Sequence, residues 1–271
     1  MPLLSVLIPS YNERKTILDI LQKVVALPLI AGIEKEIIVV DDGSTDNTIA
    51  LVEGFVKTQA LTNLRLIVHE KNMGKGAGIR TGLRAAHGDY IIVQDADLEY
   101  DPQDYNTILA HFIANPALDV VYGSRRLGQR EENRRTGRNK IIFNQKHPHS
   151  YTMAYIGGVA VTNFTNLCTG LHLTDEPTCY KTFKRHVIEA IDIDHNSFAW
   201  EPEITVKLAR LGFTFAEVPI AYHPRKTTEG KKINWKDGLQ ALATILHYRL
   251  FWRPVHRQSP SPKISVTNTA T

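Results

Sequence analysis

In the stretch IIVQDADLEYD, residues 91 to 101, Asp95, Asp97 and Glu99 stand at alternate positions directly after the apolar run Tyr90 to Val93. In an extended chain that spacing aims three carboxylates at one region of space. Like charges held so close repel, and one of them would take up a proton unless a cation removes the conflict. Hard oxygen donors suit Mg2+ or Mn2+. A solvated acidic turn ahead of a helix starting at Asp101-Pro102 accounts for the same residues without a metal, so the other motifs have to decide.

DDGSTDNT, from Asp41, sets two carboxylates at the end of a second apolar run. Gly43 suits a turn, and Ser44, Thr45 or Asp46 suits a helix cap. The pair Asp41 and Asp42 is left over, and one of them could bond a ribose or a base edge, as acidic residues do in other nucleotide-binding sheets. NMGKGAGIRTG, from Asn72, lacks both the GxxxxGK[ST] order and the GxGxxG fingerprint. Its glycines suit close packing and backbone approach, with Lys75 and Arg80 available to an anion. LTDEPTCYK supplies Asp175 and Glu176, and AYHPRKTTEGKKI gathers His223, Arg225, Lys226, Lys231 and Lys232. These are carboxylates for orienting a substrate or acting as a base, and cations for a leaving pyrophosphate. His147 and His149 have no third ligand nearby in sequence and are read as part of a loop.

What must position these residues is an alternation of strands and helices. Apolar, β-branched runs occur at Leu3–Ile8, Glu36–Val40, Leu64–Val68, Tyr90–Val93 and Val120–Tyr122. The stretches between them carry helical period, as in Ile17, Leu21, Val24 and in Tyr105, Ile108, Leu109, Phe112. Such a pattern predicts a mainly parallel, Rossmann-like sheet flanked by helices, with ligands beyond the carboxyl ends of its strands. The motifs fall at those ends. After Ser124 the alternation lapses: residues 125–150 read as a long mobile loop and 151–170 as a helix. CYKTF and FTFAEVPI read as strands, 185–191, 201–211 and 235–250 as helices, and the tail from Gln258 as disordered.

The chain has 271 residues, 43% hydrophobic and 22% charged, with a formal net charge of +4. This suits a globular protein and calls for no nucleic-acid partner. Basic residues crowd between Arg125 and Lys146, where Glu131 and Glu132 are the only acids. Two cysteines, Cys168 and Cys179, without metal-type spacing, point to a reduced, cytoplasmic setting. The N-terminus turns polar too early for a signal peptide. No window reaches the roughly 18 continuous apolar residues of a membrane span. The segment Trp235 to Trp252 has an apolar face of Trp235, Leu239, Leu242, Leu246 and Leu250, followed by Arg253, His256 and Arg257. It suits either packing on the sheet or an anionic membrane surface.

Taken in order, SVLIPSYNE, EIIVVDDGSTDNT, NMGKGAGIRTGLRAAHGDYIIVQDADLEYDP, VVYGSRR, LTDEPTCYK and EVPIAYHPRKTTEGKK resemble the family 2 glycosyltransferases of GT-A fold. Within that family they resemble the dolichyl- or polyprenyl-phosphate mannose and glucose synthases. The resemblance covers about residues 4 to 235. It implies that Pro9, Tyr11, Glu13, Val40 and Asp42 hold the donor's nucleoside. It likewise makes Asp95-Ala96-Asp97 the DxD metal motif, with Glu99 as a third ligand to Mg2+ or Mn2+. Arg125 matches the Arg of a GSR motif, Arg225 an Arg near the donor phosphates, and Asp175 the acidic position before a motif that here reads Thr178-Cys179-Tyr180-Lys181. No QxxRW is present, which favours a single transfer, and the resemblance implies inversion at the anomeric carbon.

The expected layout is one GT-A domain over residues 1–235, donor part to about 124 and acceptor part beyond it. An amphipathic helix over 236–257 and the tail 258–271 follow. The expected function is metal-dependent transfer of one sugar from a GDP- or UDP-linked donor to a polyprenyl phosphate, by a protein lying on the inner face of the membrane. A sugar or glycan hydroxyl as acceptor, or a non-catalytic nucleotide-sugar-binding module, are the alternatives. Neither the donor base nor an oligomeric state is fixed by the sequence.

Overall fold

The computed structural model describes residues 1–137, 148–224, 235–254 and 266–268. In chain order the elements are β1 (Leu3–Ser10), α1 (Ile17–Ala26), β2 (Glu34–Asp41), α2 (Thr48–Thr58), β3 (Leu64–Val68), α3 (Lys75–Ala85) and β4 (Tyr90–Val93). There follow α4 (Asp104–Ala114), β5 (Val120–Ser124), α5 (Arg125–Thr136), α6 (Pro148–Thr169), β6 (Lys181–Lys184), α7 (Arg185–Glu189), α8 (Trp200–Arg210), β7 (Phe215–Pro219), α9 (Trp235–Leu250) and β8 (Val266–Asn268). The strands make one sheet in the order β3-β2-β1-β4-β6-β5-β7-β8. Neighbouring strands are parallel except that β6 runs antiparallel to both β4 and β5.

Helices on both faces explain why β1 is a continuous apolar run: Leu4, Val6, Leu7 and Ile8 are all buried. In α1 the buried side chains are Ile17, Ile20, Leu21 and Val24, one stripe at helical spacing. α4 buries Tyr105, Ile108, Leu109 and Phe112 in the same way. The register then fixes the site. Leu7 pairs with Val93 and Ser10 with Asp41, so the chain leaves β1, β2 and β4 on one edge, with Asp42 and Asp95 just beyond it.

One expectation is corrected here. The first part of the predicted loop 125–150 is a helix, α5, whose N-cap Ser124 accepts a hydrogen bond from the Leu127 amide at 3.1 Å and whose C-cap Gly137 takes φ 64°. Capping at both ends stabilises a helix that buries no residue of its own. The tail, expected to be disordered, places Val266–Asn268 as an edge strand against β7. Its neighbours and the basic residues Arg138, Lys140 and Lys146 lie outside the described residues.

α9 packs on α6 and α8. Its buried side chains are Thr244, Ile245 and Tyr248, of which Ile245 and Tyr248 join Val161 of α6 and Val206 of α8 in a small core. Of the apolar stripe foreseen from the sequence, Leu242 packs against that core, whereas Leu239, Leu246 and Leu250 are 57%, 46% and 60% exposed.

Candidate functional site

The acidic cluster is not an extended strand. β4 ends at Val93, residues 96–97 form a turn, and Leu98 takes φ 65°. A left-handed residue between Asp97 and Glu99 breaks the alternation that would have aligned the three carboxylates. Asp95 Oδ1 instead lies 2.8 Å from Lys75 Nζ. Asp97 Oδ1 accepts the Glu99 amide at 3.0 Å, and Glu99 Oε2 accepts the Tyr222 hydroxyl at 2.8 Å. Among the described residues no three His, Cys, Asp or Glu side chains stand close enough together to hold a metal ion. In this structure the three carboxylates predicted as one ligand set thus have separate partners. The donor chemistry still fits a hard cation at Asp95 and Asp97, since both are half-buried carboxylates and a cation, the Lys75 ammonium, already neutralises one of them.

The turn rests on a buried polar floor. Gln94, fully buried, accepts the hydroxyls of Tyr105 and Tyr180 at 2.6 Å each and donates to the Asp95 carbonyl at 2.9 Å. Ala96 is buried beside it. Thr178, Cys179, Tyr180 and Lys181 are likewise buried. Lys181 bonds the Glu176 carbonyl at 2.6 Å, approaches Glu176 Oε1 at 3.3 Å and stacks 4.0 Å from the Tyr122 ring centroid. The Thr178-Cys179-Tyr180-Lys181 stretch is therefore interior scaffolding, and Glu176 is the buried counter-ion of Lys181.

At the end of β2 both carboxylates organise loops. Asp41 accepts the Ser44 amide and hydroxyl, each at 2.7 Å, and the Ser10 hydroxyl at 3.1 Å. Asp42 accepts the Met73 and Gly74 amides at 2.9 and 2.7 Å and meets His69 Nδ1 at 2.8 Å. Val40 is buried under α3, where a Cβ on Gly78 or Gly82 would touch its methyls. Pro9 lies in the same packing, 3.5 Å from that Gly78 Cβ, while Tyr11 and Glu13 are half-buried just beyond β1. The glycines Gly74 and Gly76 answer to another segment: a Cβ would lie 2.3 Å from the Asn196 carbonyl or 2.2 Å from that of His195. Arg80 is committed to the same segment, through the Ile193 carbonyl at 2.8 Å and Asn196 Oδ1 at 2.6 Å.

Beyond β5, Arg125 and Asp175 form a bidentate pair. Nε lies 2.7 Å from Oδ2 and Nη2 2.7 Å from Oδ1, and the Arg125 amide donates to Oδ2 at 3.0 Å. Burial alone would raise the Asp175 pKa, but the charge and hydrogen bonds of Arg125 outweigh it and hold the carboxyl below its ordinary range. The guanidinium sits 5.1 Å from the Tyr222 ring centroid, and Tyr222 bonds Glu99, so the arginine and the acidic turn share a neighbour. Glu217 accepts the Thr174 and Asp175 amides at 2.6 and 3.0 Å and so fixes the segment that carries Asp175. Burial pushes the Glu217 carboxyl up to about 7, in spite of those two bonds. Arg225, with the rest of 225–234, lies outside the described residues.

Sequence reading missed Gln94, Glu201, Glu217 and Tyr222. Gln94 left a trace as a polar residue ending an apolar strand. Glu201, which lies 3.2 Å from Lys75 Nζ across 126 residues of chain, left none.

The sequence pattern of Glycosyl transferase family 2 matches residues 5–189. The chain is 26% identical over 260 residues to the dodecaprenyl-phosphate galacturonate synthase of Rhizobium johnstonii, covering 93% of this chain and 69% of that one. It is 34% identical over 131 residues to the dolichyl-phosphate beta-glucosyltransferase of Dictyostelium discoideum, covering 45% of this chain and 39% of the relative. Among solved structures, glucosyl-3-phosphoglycerate synthase from Mycobacterium tuberculosis, in complex with Mn2+, uridine diphosphate and phosphoglyceric acid, superimposes with a TM-score of 0.62 at 21% identity. That superposition covers 92% of this chain and 78% of the other and shows a shared GT-A fold.

Proposed function

The chain belongs to glycosyl transferase family 2 and is a glycosyltransferase, and from that premise we propose that it moves one sugar, with inversion and in a metal-dependent step, from a nucleotide-sugar donor to a polyprenyl phosphate. The donor is of GDP-mannose or UDP-glucose type. Its nucleoside would lie at the strand ends, beside Pro9, Tyr11, Glu13, the Val40 backbone and Asp42. Asp42 keeps the Met73–Gly74 backbone in place there. Asp95 and Asp97 would hold the divalent cation, which supplies charge for the departing nucleoside diphosphate. Lys75, and Arg225 as the resemblance places it, would face the same diphosphate.

The observation that carries the acceptor class is the Arg125–Asp175 pair. A hydroxyl acceptor must lose a proton during attack and needs a base within reach. Asp175 suits that task poorly, because Arg125 engages both its oxygens and lowers its affinity for a proton. A phosphate monoester, with a second pKa of about 6, arrives already ionised and requires cations instead. A guanidinium fixed by a carboxylate is such a cation, held in one orientation. Arg126 stands next to it, bonded to the Thr174 carbonyl at 2.8 Å.

The location that follows is peripheral, on the membrane face that offers both substrates. Among the described residues no helix is long and apolar enough to cross a membrane. The outer sides of α6 and α9 expose Ile156, Leu167, Leu239, Leu246, Leu250 and Phe251, with Arg249 and Arg253 alongside. Apolar side chains flanked by cations suit an anionic bilayer surface. A panel of UDP- and GDP-sugars incubated with short-chain polyprenyl phosphate and Mn2+, read out as nucleoside diphosphate, tests the proposal. If the lipid phosphate raises release above the rate of donor hydrolysis for none of the donors, the proposal is contradicted.

A further inference from the structure

Lys75 occupies an unusual position. It is the first residue of α3, where the helix dipole places positive charge and a cation is disfavoured. It is nevertheless largely buried, with 13% of its side chain exposed, and it is bound on two sides. Asp95 Oδ1 lies at 2.8 Å and Glu201 Oε1 at 3.2 Å, while the Phe198 ring centroid is 5.4 Å from the ammonium. Glu201 is the second residue of α8, at an end where a carboxylate is favoured, and it is itself 9% exposed. Gly76 adds a fixed point: its amide donates to the Asn196 carbonyl at 2.7 Å, so the first turn of α3 cannot drift from the segment that leads into α8. Lys75 therefore stands between two anchored carboxylates, one of which is the first acidic residue of the metal motif.

We infer that Lys75 is a built-in counter-cation for Asp95, which must release that carboxylate before it can ligate a divalent ion, and that Glu201 is the positioning residue that keeps Lys75 in the site when it does. The inference rests on the proposed metal site at Asp95 and Asp97. Two cations cannot share the same oxygens of Asp95 at contact distance without strong repulsion. A divalent ion arriving alone must therefore displace Lys75 against an ion pair. When a nucleoside diphosphate is present, its phosphate oxygens give Lys75 a second anionic partner beside Glu201, and displacement from Asp95 no longer leaves the ammonium short of a charge. Lys75 thus makes metal binding depend on the nucleotide. The arrangement also spares the free enzyme a clustered pair of uncompensated carboxylates.

The test is direct binding of Mn2+ to the full chain, followed by electron paramagnetic resonance, with and without UDP or GDP, whichever the protein binds. For wild type, Mn2+ alone binds weakly and the nucleoside diphosphate tightens it. In Lys75→Met the affinity for Mn2+ alone rises by about tenfold or more, while the affinity in the presence of nucleotide does not improve. Lys75→Arg retains the cation and stays close to wild type for Mn2+ alone, which separates loss of charge from loss of fold. Glu201→Gln leaves Lys75 with Asp95 as its one carboxylate, and Mn2+ alone then binds more weakly than to wild type. Equal Mn2+ affinity in wild type and Lys75→Met, without nucleotide and with both folded by circular dichroism, overturns the inference while leaving the metal site intact. Failure of every form to bind Mn2+ even with nucleotide overturns the metal site itself, and this inference with it.

Discussion

Arg125 and Asp175 lie 50 residues apart and meet through two side-chain hydrogen bonds of 2.7 Å. Asp175 is 4% exposed, so removing its charge leaves the Arg125 guanidinium without its carboxylate partner in a desolvated place. Asp175→Asn is expected to cost about 3 kcal/mol, read by urea denaturation. It is also expected to raise KM for polyprenyl phosphate more than KM for the nucleotide sugar. The native pKa of Asp175 is depressed, so its contribution is present above the ordinary carboxylate range and is lost as pH falls through the native value. The wild-type excess stability over Asp175→Asn should therefore shrink on acidification. A variant of unchanged stability that is dead toward every acceptor would mark Asp175 as a base instead.

Glu217 has the opposite sign. Its native pKa is raised to about 7 from an ordinary value near 4.5, so its contribution is complete below about pH 4.5 and is lost as pH rises through 7. The stability of Glu217→Gln relative to wild type is expected to improve between pH 5 and pH 8, by up to about 3 kcal/mol. Urea denaturation at the two pH values checks this. A difference that does not change with pH would show that the carboxyl titrates normally.

The glycines of the NMGKGAG stretch separate packing from ligand approach. In Gly76→Ala the new Cβ would lie 2.2 Å from a backbone carbonyl of a segment that cannot yield cheaply. A loss of several kcal/mol, or failure to fold, is expected, at about the level of severe overpacking. Gly54→Ala, in α2 with nothing within 4 Å, should instead stabilise by about 0.5–1 kcal/mol. Equal melting temperatures for the two variants would contradict the packing account.

The succession of elements up to Ser124 was legible because each parallel strand is a short apolar run ending in turn residues, and each intervening helix carries its own stripe. The edge that holds the site was legible for the same reason. What could not be read was the partner of each carboxylate. Asp42 closes on an amide 32 residues away, Asp175 on Arg125 and Lys75 on Glu201, and such pairings depend on how distant segments meet. The acidic turn was misread because alternation presupposes an extended chain, and Leu98 in the left-handed region is not signalled by its residue type. In α9 both faces carry apolar residues, and the tertiary contacts buried the Ile245 and Tyr248 side, with Leu242 at its margin, rather than Leu239, Leu246 and Leu250.

That stripe supplies the membrane prediction. Leu246→Glu combined with Leu250→Glu changes side chains that are already 46% and 60% exposed, so stability should move by less than about 1 kcal/mol. Co-sedimentation with vesicles containing anionic lipid at low salt is expected to fall several-fold. Retention of full vesicle binding by the double variant would remove α9 from the membrane contact.

The central claim is metal-dependent sugar transfer to a lipid phosphate, and the product tests it most directly. The full chain would be given its preferred nucleotide sugar, with short-chain polyprenyl phosphate and a glycan hydroxyl acceptor in competition, with Mn2+ or with EDTA, and the products weighed by mass spectrometry. The account predicts a polyprenyl-phosphate-linked sugar, formed with Mn2+, lost with EDTA and lost in Asp97→Ala. Transfer at full rate in EDTA, or a sugar found on the hydroxyl while the lipid phosphate is left untouched, would contradict it.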